Sequence, residues 1–152
     1  MLKPILLVED DARDLELTLL ALERSQLAND VVVVRDGEQA LAYLNREGEY
    51  ETRAEGNPSL ILLDLKLPKI TGHEVLEQVR ATATLRSIPV VMLTSSHEES
   101  DVLKGYQLGV NAYVVKPVDF KQFVEAISEL GMFWALLNEP PPGSYRVTRR
   151  PG

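Results

Sequence analysis

The sequence predicts an α/β protein of the doubly wound class, in which a parallel sheet is covered by helices on both faces. Two observations support this fold. Short, wholly apolar runs have the composition of strands that are buried on both faces. These runs alternate strictly with segments in which apolar residues recur at helical spacing. Five such pairs make a (βα)5 chain, and right-handed crossovers favour the flavodoxin-like strand order 2-1-3-4-5.

The first two strand–helix pairs are followed by a polar loop. Residues 4–8 are predicted to form the first strand, and residues 11–25 the first helix. Residues 31–34 are four valines and predict the second strand, which a short helix over 37–46 follows. The predicted apolar faces of the two helices consist of Ala12, Leu15, Leu19 and Leu22, and of Ala40, Leu41 and Leu44. Residues 47–58 are polar and end in Asn-Pro, so a loop is expected there.

The remaining pairs follow the same pattern. A strand is predicted over 60–64, with Asp64 at its end, and a helix over 72–82 follows. The next strand and helix are predicted over 88–93 and 98–108. The fifth strand is predicted over residues 112–115.

The last helix is expected to begin at Asp119, because aspartate is a favoured N-cap residue. Its predicted apolar face consists of Phe120, Phe123, Val124, Ile127 and Leu130. A single domain is therefore expected over residues 1–138. Residues 139–152 are proline-rich and basic, and they predict a tail that cannot continue the helix.

Composition excludes several classes of function. A net charge of -7 argues against general nucleic-acid binding, which needs a basic surface. The chain has no cysteine, which excludes disulfides, thiolate metal sites and cysteine nucleophiles. Two histidines, His73 and His97, are too few for a histidine-rich zinc site, and both are predicted to be solvated at helix starts. No apolar stretch approaches the roughly 18 residues that span a membrane, and no signal peptide is present, so a cytoplasmic location is expected.

Three carboxylates follow the first and third predicted strands. Glu9 and Asp10 come after strand 1, and Asp64 ends strand 3. The switch point of this strand order lies between these two strands, so the three side chains are expected to be neighbours. Clustered carboxylates repel one another unless a cation neutralises them, and oxygen ligands suit Mg²⁺. The sequence therefore predicts Mg²⁺ held by Asp10 and Glu9, with Asp64 as the nucleophile that takes a phosphoryl group.

Two further strand ends complete this predicted site. Thr94 follows strand 4 and offers a hydroxyl that can donate to a phosphoryl oxygen. Lys116 follows strand 5 and would neutralise charge on the phosphoryl oxygens during transfer. The Lys116-Pro117 peptide bond is a candidate for the cis form, which would fix the direction of the ammonium group.

These residues, together with Pro68, Gly72 and Ser95, resemble the receiver domain of two-component response regulators over residues 3 to about 135. The resemblance implies that a histidine kinase donates phosphate to Asp64. It implies that the backbone carbonyl of Lys66 completes the Mg²⁺ site. It also implies that Thr94 is the switch hydroxyl and that the Tyr113 rotamer follows activation.

Two positions depart from the family pattern. Glu9 replaces the commoner aspartate of the acidic pair and is expected to act through water. Lys66 places a long cation two residues after the nucleophile, where it bears on the lifetime of the phosphate.

A narrower resemblance is to single-domain regulators that are partnered with bacterial phytochrome kinases. It depends on the motif of residues 8–11, the long loop before the third strand, Leu67-Pro68-Lys69, and Phe133-Trp134 followed by Asn138 and prolines. The partner implied is a sensor histidine kinase of the phytochrome type.

Two surfaces are candidates for protein contacts. The apolar run over 132–137 is longer than one helix face needs, so Phe133 and Trp134 predict a homodimer interface, with packing inside the chain as the alternative. Leu17 and Leu20 lie off the main face of the first helix. They either pack on the last helix or form part of a kinase docking surface.

The function predicted is a phosphorylation-controlled signalling switch, which catalyses only its own phosphoryl transfer and dephosphorylation. The tail is too short for a DNA-binding motif, so output by protein binding, phosphate relay or phosphate storage is expected. An alternative is a metal-dependent phosphohydrolase with an aspartate nucleophile, although Lys66 stands where such enzymes place a second acid. A flavodoxin-like cofactor binder is disfavoured by the acidic loop after strand 1, and a receiver that no longer takes phosphate is disfavoured by the complete set of site residues.

Overall fold

Five parallel strands form one sheet in the computed structural model, which describes residues 3–25, 29–95 and 99–129. The strands are β1 (Ile5–Val8), β2 (Val31–Val34), β3 (Leu60–Asp64), β4 (Val90–Thr94) and β5 (Ala112–Val115). Their order is β2-β1-β3-β4-β5, and every neighbouring pair is parallel. The predicted fold class and strand order are confirmed.

Helices follow each strand as predicted. They are α1 (Ala12–Arg24), α2 (Gly37–Asn45), α3 (Gly72–Ala81), α4 (Glu99–Gln107) and α5 (Phe120–Glu129). Helices α1 and α5 contact each other on one face of the sheet, and α2, α3 and α4 lie on the other. The predicted loop after α2 contains one short 3-10 turn, Gly48–Tyr50.

The sheet separates two apolar clusters. Leu6 and Ile61 pack on the α2–α3 side, whereas Ile5 and Leu62 pack on the α1–α5 side. Successive strand residues thus enter opposite clusters, as the pleat of a strand requires. Because both faces are covered, β1, β3 and β4 are buried along their whole length, which explains their unbroken apolar composition.

Side-chain caps fix where the helices begin. Asp11 accepts a hydrogen bond from the backbone N–H of Asp14 at 2.9 Å, and Asp36 caps α2 in the same way. Asp119 Oδ1 accepts from the backbone N–H of Gln122 at 2.8 Å, which confirms the predicted cap of α5. The first turns of these helices are therefore anchored close to the carboxyl edge of the sheet.

The predicted helix faces are wrong in part. In α1, Ala12 and Leu19 are exposed, and the buried residues are Thr18, Ala21 and Leu22. The buried stripe thus includes a threonine, which an apolar pattern does not detect. In α5, Phe120 is 48% exposed because it occupies the first position of the helix, beside the exposed cap.

Two further expectations concern single residues. His73 is buried rather than solvated. It follows Gly72, whose missing side chain lets the start of α3 approach the Asp64 carbonyl group closely. Leu17 is half-buried, and Leu20 is 46% exposed, so much of the Leu20 side chain faces solvent.

Several predictions lie outside the described residues. They concern His97, Leu130, the dimer-interface residues Phe133 and Trp134, and the tail over 139–152. Within the described part of the chain, no helix is long and apolar enough to cross a membrane.

Candidate functional site

The candidate site lies at the carboxyl edge of the sheet, where four strands end side by side. Strand β1 leads into Glu9 and Asp10, and Val8 is in register with Leu63, the residue before Asp64. The carboxylates that follow β1 and end β3 are therefore at the same level of the sheet. Thr94 ends β4, and its carbonyl oxygen accepts a hydrogen bond from the backbone N–H of Lys116 at 2.8 Å.

Lys116 is the centre of the charge arrangement. Its Nζ atom lies 2.9 Å from Oδ1 of Asp64, 3.0 Å from Oε1 of Glu9 and 3.0 Å from Oδ2 of Asp14. An ammonium group has three N–H donors, and each finds one carboxylate here. The side chains of Lys116, Glu9 and Asp64 are 9%, 0% and 4% exposed, so these charges interact away from bulk water. Such short contacts strengthen the pairing.

Burial changes the proton affinities of these groups. Burial and the negative charge of Asp64 raise the pKa of Glu9 from 4.5 to about 7. Burial also raises the pKa of Asp64, against the opposing effect of the Lys116 ammonium. For Lys116, burial alone would lower the pKa, but its hydrogen bonds to Asp64, Glu9 and Asp14 outweigh this and raise it. The lysine is therefore charged at neutral pH, and Glu9 holds a proton more readily than an ordinary glutamate.

The donor set fits a hard divalent cation. Glu9, Asp10 and Asp64 each offer a carboxylate oxygen, and these oxygens lie within 4.8 Å of one another. Asp10 is exposed, so the site opens to solvent on that side. Carboxylates and water are the ligands that Mg²⁺ and similar ions prefer. Burial first, and the charge of Asp64 second, raise the pKa of Glu9, and a bound cation would oppose both effects by favouring the ionised carboxylate.

The turn after β3 brings the backbone of Lys66 to the site. The backbone N–H of Lys66 donates a hydrogen bond to the Asp64 carboxylate, whereas its side chain is exposed. At Gly72 an ideal Cβ atom would overlap the Asp64 carbonyl oxygen, so only glycine fits there. The amide of Gly72 donates to the Leu65 carbonyl at 2.9 Å, which closes the turn.

The other predicted residues lie on the β4 and β5 side of the site. Thr94 is 2% exposed. Tyr113 is half-buried; its ring packs edge-on against Tyr106 with centroids 5.4 Å apart, and its hydroxyl lies over Gly105 of α4. The Lys116–Pro117 peptide bond is cis, the form expected from the sequence.

Sequence reasoning missed two residues of this site. Asp14 supplies the third carboxylate at Lys116, and its only sequence signal was an acid in the first turn of a helix. Arg35, directly after β2, donates from Nε to the Glu9 carbonyl at 3.1 Å and from Nη2 to the Asp10 carbonyl at 2.7 Å. In the sequence, Arg35 was indicated only as a basic residue directly after a predicted strand, which places it at the carboxyl edge of the sheet. Arg35 thereby ties the acidic turn to β2.

Comparison of the whole chain with known proteins identifies a family and several similar structures. Residues 5–128 match the family model of the response regulator receiver domain. The response regulator Rcp1 of Synechocystis sp. is 42% identical over 132 residues, which are 87% of this chain and 88% of Rcp1. A solved Mn(2+)-bound form of Rcp1 superposes with a TM-score of 0.72 at 42% identity, over 88% of this chain and 94% of that one.

Two other solved structures are similar. The bacteriophytochrome response regulator RtBRR is 77% identical, with a TM-score of 0.84 over 95% of this chain and 87% of that one. The phosphorylated cyanobacterial phytochrome response regulator RcpA is 43% identical, with a TM-score of 0.74 over 88% of this chain and 94% of that one. Both resemblances extend over most of the chain.

Proposed function

The chain belongs to the response regulator receiver domain family, and we propose that it is a signalling switch that accepts a phosphoryl group on Asp64 from a sensor histidine kinase. The observation that carries the proposal is the convergence on one carboxylate of a cation and an acidic pair. Lys116 Nζ lies 2.9 Å from Asp64, and Glu9 and Asp10 have carboxylate oxygens within 4.8 Å of it. A nucleophile, a positive charge and candidate metal ligands are thus assembled around one oxygen-rich point.

The proposed reaction is a phosphoryl transfer. A carboxylate oxygen of Asp64 attacks the phosphorus atom, the new O–P bond forms, and the bond to the donor's histidine nitrogen breaks with the electron pair left on that nitrogen. Lys116 stabilises the negative charge on the phosphoryl oxygens, and the Thr94 hydroxyl donates to one of them after transfer. A change in the Tyr113 rotamer then carries the signal to the surface near α4.

We propose Mg²⁺ as the cation, held by Glu9, Asp10, Asp64 and the backbone carbonyl of Lys66. When bound, Mg²⁺ supplies neutralisation of the phosphoryl oxygens and fixes their orientation. The Mn(2+)-bound form of the relative Rcp1 supports a divalent metal at this site, and the fit of the three carboxylates supports it independently. The phosphorylated form of RcpA supports acceptance of a phosphoryl group.

The kinase is proposed to be a phytochrome. This rests on similarity to RtBRR, which is a bacteriophytochrome response regulator, and to RcpA, which is a cyanobacterial phytochrome response regulator. The same proposal includes homodimerisation through Phe133 and Trp134. It also includes a cytoplasmic location and output without nucleic acid or membrane contact.

The phosphohydrolase alternative receives no support from the family match. Lys66, which stands two residues after the nucleophile, is exposed and carries a cation instead of the acid that hydrolysis would need. We propose that catalysis is limited to the chain's own phosphorylation and dephosphorylation.

Intact-mass measurement after incubation with acetyl phosphate and Mg²⁺ tests the proposal. The unmodified chain should gain one phosphoryl group, and Asp64→Asn should gain none. Asp30→Asn is the matched control, because it makes the same chemical change at an exposed aspartate outside the site. A gain that survives in Asp64→Asn, or no gain although Mg²⁺ binds, would contradict Asp64 as the acceptor for this donor. The kinase assignment is tested separately, by transfer from an autophosphorylated bacterial phytochrome.

A further inference from the structure

We propose that Asp14 is a positioning residue for Lys116, which it holds beside Asp64 when a cation and a phosphoryl group engage the lysine's other partners. The proposal rests on the proposed function, because it concerns the same phosphoryl transfer. It starts from the contact of 3.0 Å between Lys116 Nζ and Asp14 Oδ2, which joins α1 to the turn after β5 across 102 positions of sequence.

The three carboxylates at Lys116 are not equivalent. Glu9 and Asp64 also belong to the group of acids whose oxygens converge closely enough to hold a metal ion. Among the described residues, Asp14 contacts Lys116 without belonging to that group. Two of the three carboxylates that contact the lysine are therefore also candidate metal ligands, whereas Asp14 is not.

This difference matters once the site is in use. A bound cation would share the oxygens of Glu9 and Asp64, and phosphorylation would move the negative charge of Asp64 from its carboxylate oxygens to the phosphoryl oxygens. Asp14 is then the carboxylate that remains committed to Lys116. It can keep one N–H donor of the ammonium while another donor turns to a phosphoryl oxygen.

The placement of Asp14 suits a fixed anchor. It lies in the first turn of α1, and its backbone N–H donates to the capping side chain of Asp11 at 2.9 Å. A negative charge at a helix N-terminus is favoured by the helix dipole. Its side chain is 34% exposed, so the charge is partly hydrated and does not depend on Lys116 for its solvation. Helix α1 begins directly after the acidic pair, so the same short segment supplies metal ligands and the anchor of the lysine.

The first test is the rate of phosphorylation by acetyl phosphate at saturating Mg²⁺. Asp14→Asn should slow it about tenfold, the loss expected when one charge-assisted contact no longer directs the ammonium. Asp14→Glu should restore most of the rate, because it returns the charge. Glu16→Gln is the matched control: it removes one charge from an exposed position of the same helix and should leave the rate within about twofold. Equal rates for Asp14→Asn and Glu16→Gln would overturn the proposal.

A double-mutant cycle separates an effect through Lys116 from a general one. In the Lys116→Gln background, Asp14→Asn should change the remaining rate by less than about twofold, since the group that it positions is gone. The same tenfold slowing in both backgrounds would overturn a role through the lysine. Thermal unfolding of each variant verifies that folded proteins are compared.

A measurement that needs no phosphorylation tests the role of Asp14 separately from the proposed function. If the unmodified chain takes no phosphoryl group, the proposed function fails for this donor. Asp14 is then judged from the ¹H–¹⁵N signal of the Lys116 ammonium in the presence of Mg²⁺ alone. The signal should persist in the unmodified chain and in Glu16→Gln, and be lost to fast hydrogen exchange in Asp14→Asn. Persistence in Asp14→Asn would overturn the anchoring role.

Discussion

The Nζ atom of Lys116 lies 2.9 Å from Oδ1 of Asp64, and both side chains are almost fully buried. A lysine that follows β5 thus neutralises an aspartate at the end of β3, with β4 between them in the sheet. Each charge of such a buried pair depends on the other. Either charge alone would destabilise the folded protein, because bulk water is not there to solvate it. Stability and chemistry therefore depend on the same contact.

Replacing Lys116 with methionine should destabilise the protein in a pH-dependent way. The variant leaves Glu9 and Asp64 buried without their cation, which should lower the free energy of unfolding by about 3 kcal/mol at pH 8. At pH 5 the loss should be much smaller, because burial and the absence of the ammonium both favour the protonated carboxyl groups over the charged ones. Urea denaturation without divalent ions measures both values.

Lys66→Met is the matched control for this prediction, because the same change is made at an exposed lysine close to the site. It should change stability little at either pH. An equal loss for Lys116→Met at pH 5 and pH 8 would show that lost packing, not unpaired charge, dominates.

Binding of Mg²⁺ should release a proton from Glu9. The folded-state pKa of Glu9 is raised from 4.5 to about 7, so protonation of Glu9 stabilises the metal-free fold at low pH, and that stability is lost as the pH rises through 7. A cation needs the ionised carboxylate, so the apparent dissociation constant for Mg²⁺ should increase by up to about tenfold per pH unit below 7. The rise in melting temperature on adding Mg²⁺ should accordingly be larger at pH 8 than at pH 6.

Glu9→Gln tests the assignment of this pH dependence. It cannot ionise, so most of the difference between pH 6 and pH 8 should disappear, although Mg²⁺ binds more weakly at both. If Mg²⁺ stabilises the unmodified chain equally at pH 6 and pH 8, Glu9 is not the group that gives up the proton.

The fold and the placement of the main candidate residues at one edge of the sheet were predictable because both depend on local patterns. Apolar runs identify strands buried on both faces, and parallel strands bring their carboxyl ends to one edge, which was enough to group Glu9, Asp10, Asp64, Thr94 and Lys116. The contact of Asp14 with Lys116 was not predictable. The two residues are 102 positions apart in sequence, and the contact depends on the exact length and direction of both side chains in the folded protein. The burial of Thr18 and His73 was missed since hydrophobicity does not report the phase of a helix that buries polar residues.

Arg35→Lys should weaken Mg²⁺ binding about threefold. Arginine donates from two nitrogens to the carbonyl oxygens of Glu9 and Asp10, at 3.1 and 2.7 Å, and lysine cannot reproduce this forked geometry. Because the charge is kept, any loss reports the position of the acidic turn. Isothermal titration calorimetry measures the affinity.

Arg24→Lys, at an exposed position on the last turn of α1, should leave the affinity unchanged and serves as the control for Arg35. An Arg35→Lys variant with the unmodified affinity would mean that the turn holds the acids in place without this tether.

Gly105→Ala should displace the Tyr113 ring and destabilise the protein by about 1–2 kcal/mol. An ideal Cβ atom at Gly105 would overlap the Tyr113 hydroxyl and crowd the end of its ring. The sign is informative, because alanine normally stabilises a helix relative to glycine by up to about 1 kcal/mol. In a Tyr113→Leu background the ring end is absent, so Gly105→Ala should there become neutral or stabilising. Urea denaturation of the four proteins measures this reversal. A Gly105→Ala substitution that destabilises equally in both backgrounds would mean that the helix itself, and not Tyr113, requires glycine at this position.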